Sequence, residues 1–279
     1  MQAPQLTDQT ALFRNRARAL AMPAPALFLH EDVLDEVKER LTEVNRSFTS
    51  VAIVTGFPDL WRTAFPQARI VPDNEVLALE PGAHDLVIHA MALHWANDPV
   101  GQLIQCKRAL RPDGLFLAAL FGGQTLHELR ACLAEAEAHV SGGLSPRVLP
   151  MAEIRDLGAL LQRAGLALPV ADSFTRQVHY RDVYHLMQDL RAMGEGNALA
   201  ARLRRPSPRR LFTDAAARYA KAYGAEGGRI AASFELIFLT GWAPHDSQQK
   251  PLRPGSAVQR LADALNAPEI VLPATKGEA

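Results

Sequence analysis

"DLVIHAMALHWANDPVGQLIQCKRALRPDGLFLAALFGG", residues 85–123, decides the fold. Its first seven residues, "DLVIHAM" (85–91), form an apolar run whose continuity predicts a strand covered on both faces. Asp98 followed by Pro99 reads as an N-cap and a first-turn proline, opening a helix through Leu110. "RPDG" (111–114) has the residues of a type I turn, and it leads into a second buried strand, "LFLAALF" (115–121). Strand, helix and strand in one continuous stretch are the unit of a parallel sheet.

The pattern extends in both directions. Upstream, "VAIVT" (51–55) and "ARIV" (68–71) read as short strands. Ahead of them "EDVLDEVKERLTEV" (31–44) places Val33, Leu34, Val37, Leu41 and Val44 on one helical face. Downstream, Thr125-x-x-Glu128 reads as a capping box before a helix to about Val140. A helix from about Ala152 stops at Gly165, as a C′ glycine would stop it. "LALPVAD" (166–172), "TRQVHY" (175–180) and "SFELIFLTGW" (233–242) are strand material, while 182–193 and 209–223 read as helices. There is no internal repeat.

The 279 residues are 48% apolar and 22% charged, an ordinary globular balance. Thirty basic and thirty acidic side chains cancel, so no global field draws nucleic acid, and no nucleic-acid partner is expected. Cys106 and Cys132 form no CxxC pair and read as core thiols of a reducing compartment. No apolar run reaches the ~18 residues of a membrane-spanning helix. "RNRARALAMPAPALFLH" (14–30) has arginines ahead of an apolar stretch, as a secretory signal does, but two prolines break that stretch. Residues 1–30 therefore read as a mature N-terminal arm, 31–242 as the main domain, and 243–279 as a partner-facing segment and tail. The expected location is cytoplasmic.

A doubly wound sheet binds ligands beyond the carboxyl ends of its strands. After residue 91, His94 and Trp95 project toward that crevice, the ring to pack on a base and the imidazole as acid or base, although packing the top of the sheet is the commoner role. After residue 71, Asp73 and Asn74 are placed to meet ribose hydroxyls or an adenine amino group, or else form an ordinary solvated turn. After residue 55 a single glycine, Gly56, is followed at once by Phe57, Pro58 and Trp61. His30-x-Asp32 has the spacing that begins a two-histidine, one-carboxylate iron site, but it also marks a helix start, which is the preferred reading; no metal site is expected. "RLRRPSPRR" (202–210) packs five arginines around two prolines, and "GWAPHDSQQKPLRPGSA" (241–257) is long and polar; both are candidate contact surfaces. GxSxG, P-loop and HExxH motifs are absent.

Residues 85–130 resemble the second half of a class I S-adenosylmethionine (SAM) methyltransferase domain. More narrowly, "FGGQTLHELR", "GGLSPRVLPMAEIRDLGALLQRAG", "LMQDLRAMGEGNAL" and "GWAPHDSQQKPLRPGSA" are similar to the methyltransferase-like assembly factor of respiratory complex I, a family credited with hydroxylating an arginine of a complex I subunit. A more distant likeness is to the malonyl-acyl-carrier-protein methyltransferase of biotin synthesis. The resemblance covers about residues 68 to 257. It implies a Rossmann-like class I methyltransferase sheet with helices on both faces, an antiparallel last strand over 233–242, and SAM as cofactor. Of two alignments, the longer continuous match makes "ARIV" strand three, with Asp73 opposite the adenine. The other makes "ARIV" strand two, with Asp73 the ribose acid. Either way the early half is shortened, because only 29 positions separate Gly56 from Asp85. The family's D-x-G-x-G-x-G-like loop is reduced to Gly56.

Gly56, Asp73, Asn74, His94 and Trp95 are thus the expected cofactor-side residues, with no catalytic residue assigned. The expected function is an assembly or modification factor for a subunit of complex I (NADH:quinone oxidoreductase), with an eroded cofactor loop, reaching the inner membrane only through its partner. Two alternatives stand beside it: an active SAM-dependent methyltransferase on a small or carrier-bound substrate, and a cofactor-free binding scaffold of pseudoenzyme type.

Overall fold

The apolar runs of the opening stretch become the centre of a seven-stranded sheet in a computed structural model that describes residues 5–249. The strands are β1 (Val51–Thr55), β2 (Arg69–Val71), β3 (His84–Ala90), β4 (Leu110–Phe121), β5 (Ala167–Tyr180), β6 (Gly224–Ala225) and β7 (Arg229–Trp242). Their order is β2-β1-β3-β4-β7-β5, with β6 hydrogen-bonded to the start of β7. The first four run parallel, and β7 pairs antiparallel with both β4 and β5. The helices among the described residues are α1 (Gln9–Leu20), α2 (Phe28–Glu43), α3 (Pro58–Ala64), α4 (Pro99–Ala109), α5 (His127–Ser141), α6 (Ile154–Arg163), α7 (Val183–Ala192) and α8 (Arg209–Ala222).

Strand alternation sends successive side chains to opposite faces, which gives the sheet two cores. Ile53, Ile88, Leu117 and Phe238 meet Val33 of α2, Trp61 of α3, Leu133 of α5, Leu186 of α7 and Tyr219 of α8 on one face. Ala52, Val54, Val87 and Phe116 meet Leu103 and Cys106 of α4 and Leu157 and Leu161 of α6 on the other. Both cysteines are buried free thiols, and burial pushes Cys132 up to about 11. None of the helices among the described residues is long and apolar enough to cross a membrane.

Local signals worked where they were local. Asp98 caps α4 by accepting from the Gly101 N–H at 2.8 Å, with Pro99 in the first turn. Gly165 takes φ +77° just past α6, as its C′ role requires. Three readings need correction. Thr125 and Glu128 do not form a capping box, because α5 begins at His127 and both side chains turn to β7. Thr125 Oγ1 donates to the Glu235 carbonyl and accepts from the Glu235 N–H, while Ser233 Oγ donates to Glu128 Oε1 at 2.6 Å. "RPDG" is not a separate turn: β4 runs through it from Leu110, with Asp113 at φ +61°.

The third correction concerns "ARIV". It pairs in parallel directly with β1, Ile53 opposite Ile70, and α3 bridges the two strands. A strand joined to β1 by one helix and seated beside it holds the second-strand position of a doubly wound sheet. This pairing supports the second of the two alignments, with "ARIV" as strand two, and β2 leads to β3 without a further strand between them.

The first 30 residues, read as an arm, contain α1. Thr7 bridges Leu199, the Asp8 N–H donates to the Ala198 carbonyl, and the α1 residues Ala11 and Leu12 pack with Trp95, Leu149 and Leu199. Of the 241–257 segment, residues 250–257 lie outside the described residues.

Candidate functional site

The carboxyl ends of β1, β2, β3 and β4 open toward one crevice, where a doubly wound sheet places its ligands. Gly56 leaves β1, Asp73 follows β2 by two residues, and β3 runs through Met91 (φ +50°) into a single 3-10 turn, Leu93–Trp95. Four of the five residues expected from sequence meet here. Asp73, His94 and Trp95 are buried, and Gly56 lies beside them. Asn74 is exposed and contributes its carbonyl, which accepts from Gln102 Nε2 at 3.1 Å. The same Gln102 accepts from His89 Nε2 at 2.7 Å, so α4 ties β3 to the turn after β2.

What occupies the crevice is a side chain of the chain itself. Arg16, from α1, sends Nη1 to both carboxylate oxygens of Asp73, at 2.7 and 2.9 Å. Their side chains are 4% and 3% exposed, so the pair is shielded from water. The guanidinium lies flat against Gly56, where even a Cβ would meet Arg16 Cζ at 2.5 Å. Phe57 is fully buried beside it, edge-on to His30 with ring centres 4.6 Å apart. Trp61 points away into the core below the crevice, so it is Phe57 and Arg16 that fill the space. An adenosyl cofactor does not fit this arrangement: its approach to Gly56 is taken, and Asp73 has already given both oxygens to a cation.

The second acid of the crevice comes from the end of α7. That helix closes in a Schellman motif, with Gly194 at φ +79°, its N–H donating to the Arg191 carbonyl and the Glu195 N–H donating to the Leu190 carbonyl. A Cβ on Gly194 would lie 3.0 Å from the Phe57 ring, so only glycine lets the turn sit this deep. The turn delivers Glu195 to the residues after β3. Trp95 Nε1 donates to Glu195 Oε2 at 2.8 Å, and His94 Nε2 lies 3.4 Å from the same oxygen. Burial raises the Glu195 pKa, but His94, Arg16 and the Trp95 N–H outweigh it and hold the carboxyl below its usual value. Glu195 Oε1 has no hydrogen-bond partner.

That carboxylate borders a cavity of about 250 Å³, walled mainly by Trp95, Phe121, Leu126, Met151, Met187 and Phe234. Arg147 and Arg191 also line it. Arg147 is neutralised by Glu137, which takes two of its nitrogens at 2.6 and 3.0 Å. The cavity wall is thus largely apolar, with Arg191 and Glu195 among its polar members; the Glu195 Oε1 atom is itself buried.

His30 is buried with both ring nitrogens unpartnered, and burial pulls its pKa down to about 4. Asp32 faces the other way and pairs with Arg176 at 2.8 Å. The two do not converge, and among the described residues no group of three His, Cys, Asp or Glu side chains is placed to hold a metal ion. Sequence reasoning missed Arg16 and Glu195 as site residues. Glu195 carried a signal, the Gly-Glu-Gly that ends the 182–193 helix; Arg16 carried none.

The sheet order with its single reversed strand is that of the class I methyltransferase fold, and residues 33–118 match the methyltransferase domain family. Within that class, the chain is similar to the arginine hydroxylase NDUFAF5, mitochondrial, of Danio rerio, 39% identical over 198 residues that cover 71% of this chain and 61% of the relative. It is also similar to the malonyl-[acyl-carrier protein] O-methyltransferase of Laribacter hongkongensis, 34% identical over 188 residues that cover 67% and 61%. The chain thus spans about three fifths of the length of each relative. Among solved structures, the YcgJ protein of Bacillus subtilis superposes with a TM-score of 0.46 at 13% identity, covering 72% of this chain and 94% of that one.

Proposed function

We propose that this chain is an assembly or modification factor for a subunit of respiratory complex I, and that it holds that subunit by taking an arginine side chain into the cavity beside Glu195. One observation carries the reading. Glu195, a buried carboxylate held below its usual pKa and with one oxygen unpartnered, stands in the wall of a largely apolar, aromatic-lined cavity. A buried charge in such a place needs a partner, and a guanidinium supplies one with the fork geometry that also stacks on aromatic faces. The volume, just under the roughly 300–1,000 Å³ of ordinary small-molecule sites, suits one long side chain. The likeness to proteins named arginine hydroxylase supports the same substrate group.

The test has two arms. Blocked arginine amide should bind with a heat signal that Glu195→Gln abolishes, while blocked citrulline, its neutral isostere, gives none. In the source cell, loss of the chain should lower assembled NADH:quinone oxidoreductase, with wild type but not Glu195→Gln restoring it. Equal binding of arginine and citrulline, or normal complex I without the chain, refutes the reading. A second reading, SAM-dependent methyl transfer to a small or carrier-bound substrate, has the 34% identity to the malonyl-[acyl-carrier protein] enzyme in its favour and Arg16 against it.

A further inference from the structure

In a doubly wound sheet a nucleoside uses two positions that this chain keeps. A glycine after the first strand lets it approach the backbone, and an acid after the second strand receives its ribose hydroxyls. Here they are Gly56 and Asp73, on neighbouring strands. Both contacts are made by one guanidinium. Arg16 covers Gly56 to within 2.5 Å of any added carbon and holds both Asp73 oxygens.

Arg16 is not a loose side chain that fell into a gap. It is delivered by a docked helix that is tied down at its start and at its middle. Ahead of α1, the Thr7 N–H donates to Asn97 Oδ1 at 2.8 Å, and Asn97 Nδ2 donates back to the Thr7 carbonyl. The N-cap Asp8 pairs with Arg202 at 2.9 Å and Arg204 at 3.3 Å, which gives two arginines of the 202–210 run an internal role. Farther along, Asn15 Nδ2 donates to the Gly196 carbonyl beside Glu195. Arg16 Nε and Nη2 remain without hydrogen-bond partners. A buried arginine kept for stability alone normally uses its remaining donors, because each one left unmade costs free energy.

We infer that Arg16 is the specificity-determining residue of this crevice, a built-in occupant that stands where a nucleoside would and makes the chain blind to adenosyl ligands. The inference does not depend on the arginine-pocket reading, which rests on Glu195 and the cavity it borders.

The experiment is isothermal titration of S-adenosylhomocysteine into the full chain. The wild type should give no heat at millimolar ligand. Arg16→Ala should bind in the micromolar range, and Arg16→Ala/Asp73→Ala should lose that binding again. Arg16→Met, which refills the space without the charge, should stay blind. Should Arg16→Ala fail to fold with Asp73 unpaired, Arg16→Ala/Asp73→Asn removes the stranded charge and keeps an acceptor for hydroxyls, and it should bind. Micromolar binding to the wild type overturns the inference. So does a folded Arg16→Ala, or its Asp73→Asn companion, that is as blind as the wild type.

Discussion

His30 offers the cleanest quantitative test of the buried cluster. Its ring is fully enclosed, its two nitrogens have no hydrogen-bond partner, and burial takes its pKa from 6.5 to about 4. The charged groups facing it are Glu195, which favours its protonation, and Arg16 and His94, which oppose it. Because the folded value is depressed, the unfolded chain binds the extra proton between about pH 6.5 and 4, so stability rises with pH across that window and falls as pH drops through it. The full span is about 3 kcal/mol, of which roughly 2 kcal/mol is lost between pH 8 and 5. His30→Leu keeps the apolar contact with Phe57 and removes both the titration and two unpartnered buried nitrogens. Urea unfolding at pH 8 and pH 5, extrapolated linearly, measures the effect. The wild type should lose about 2 kcal/mol more than the variant across that interval, and at pH 8 the variant should be at least as stable. His89 and His84 are also depressed, burial being the main cause, but they remain in both proteins and cancel in the comparison. Equal losses in the two proteins would mean that His30 is hydrated in solution, and the argument from its burial would fail.

Three further outcomes follow from the same geometry. Asp73→Ala strands the Arg16 guanidinium in a shielded site and should cost about 3–5 kcal/mol in urea unfolding, while Arg16→Met/Asp73→Leu should recover most of it; a single-variant cost under about 1 kcal/mol would show that the pair is open to water. Gly194→Ala puts a side chain at φ +79° and 3.0 Å from the Phe57 ring, so it should destabilise by about 1–2 kcal/mol and weaken arginine amide binding by displacing Glu195. Glu137, which accepts from Arg147 and Ser145, is held down to about 2, chiefly by Arg147; its stabilisation is present above pH 4.5 and lost as pH falls through 2. Glu137→Gln should therefore lower stability near pH 7 by about 1.5–3 kcal/mol and make little difference near pH 2, as read by thermal unfolding at the two values.

The sheet was legible because its signals are short-range. Asp98 and Pro99 open α4 from adjacent positions, Gly165 closes α6 with its own backbone, and short apolar runs bounded by turn residues are the pattern of strands buried on both faces. Where the same kind of motif failed, a distant partner outbid the local one. Thr125 and Glu128 have the spacing of a capping box, yet Glu235 and Ser233, more than a hundred positions away, take their side chains. The strand identity of "ARIV" failed for a related reason: three residues carry too little pattern to say which neighbour they pair with, and only the hydrogen bonds to β1 decide it.

The crevice shows the limit more sharply. Asp73, His94 and Trp95 could be singled out because strand ends point at ligand sites, a rule of topology. Arg16 lies 57 positions from Asp73 in a helix whose arginines look like solvated surface, and Glu195 lies 100 positions from the Trp95 ring it accepts from. Yet Gly56, Phe57, Asp73 and Arg16 answer to one physical constraint. A glycine-rich loop is needed only where a ligand must reach the backbone; with a guanidinium covering Gly56 a bulky residue such as Phe57 is tolerated beside it, and the buried Asp73 needs a cation of the chain's own. Arg16 supplies it, and with His94, the larger influence, it also holds the Glu195 carboxyl below its usual pKa. The single buried cation of Arg16 thus touches Gly56, holds both Asp73 oxygens and bears on Glu195 beside the cavity.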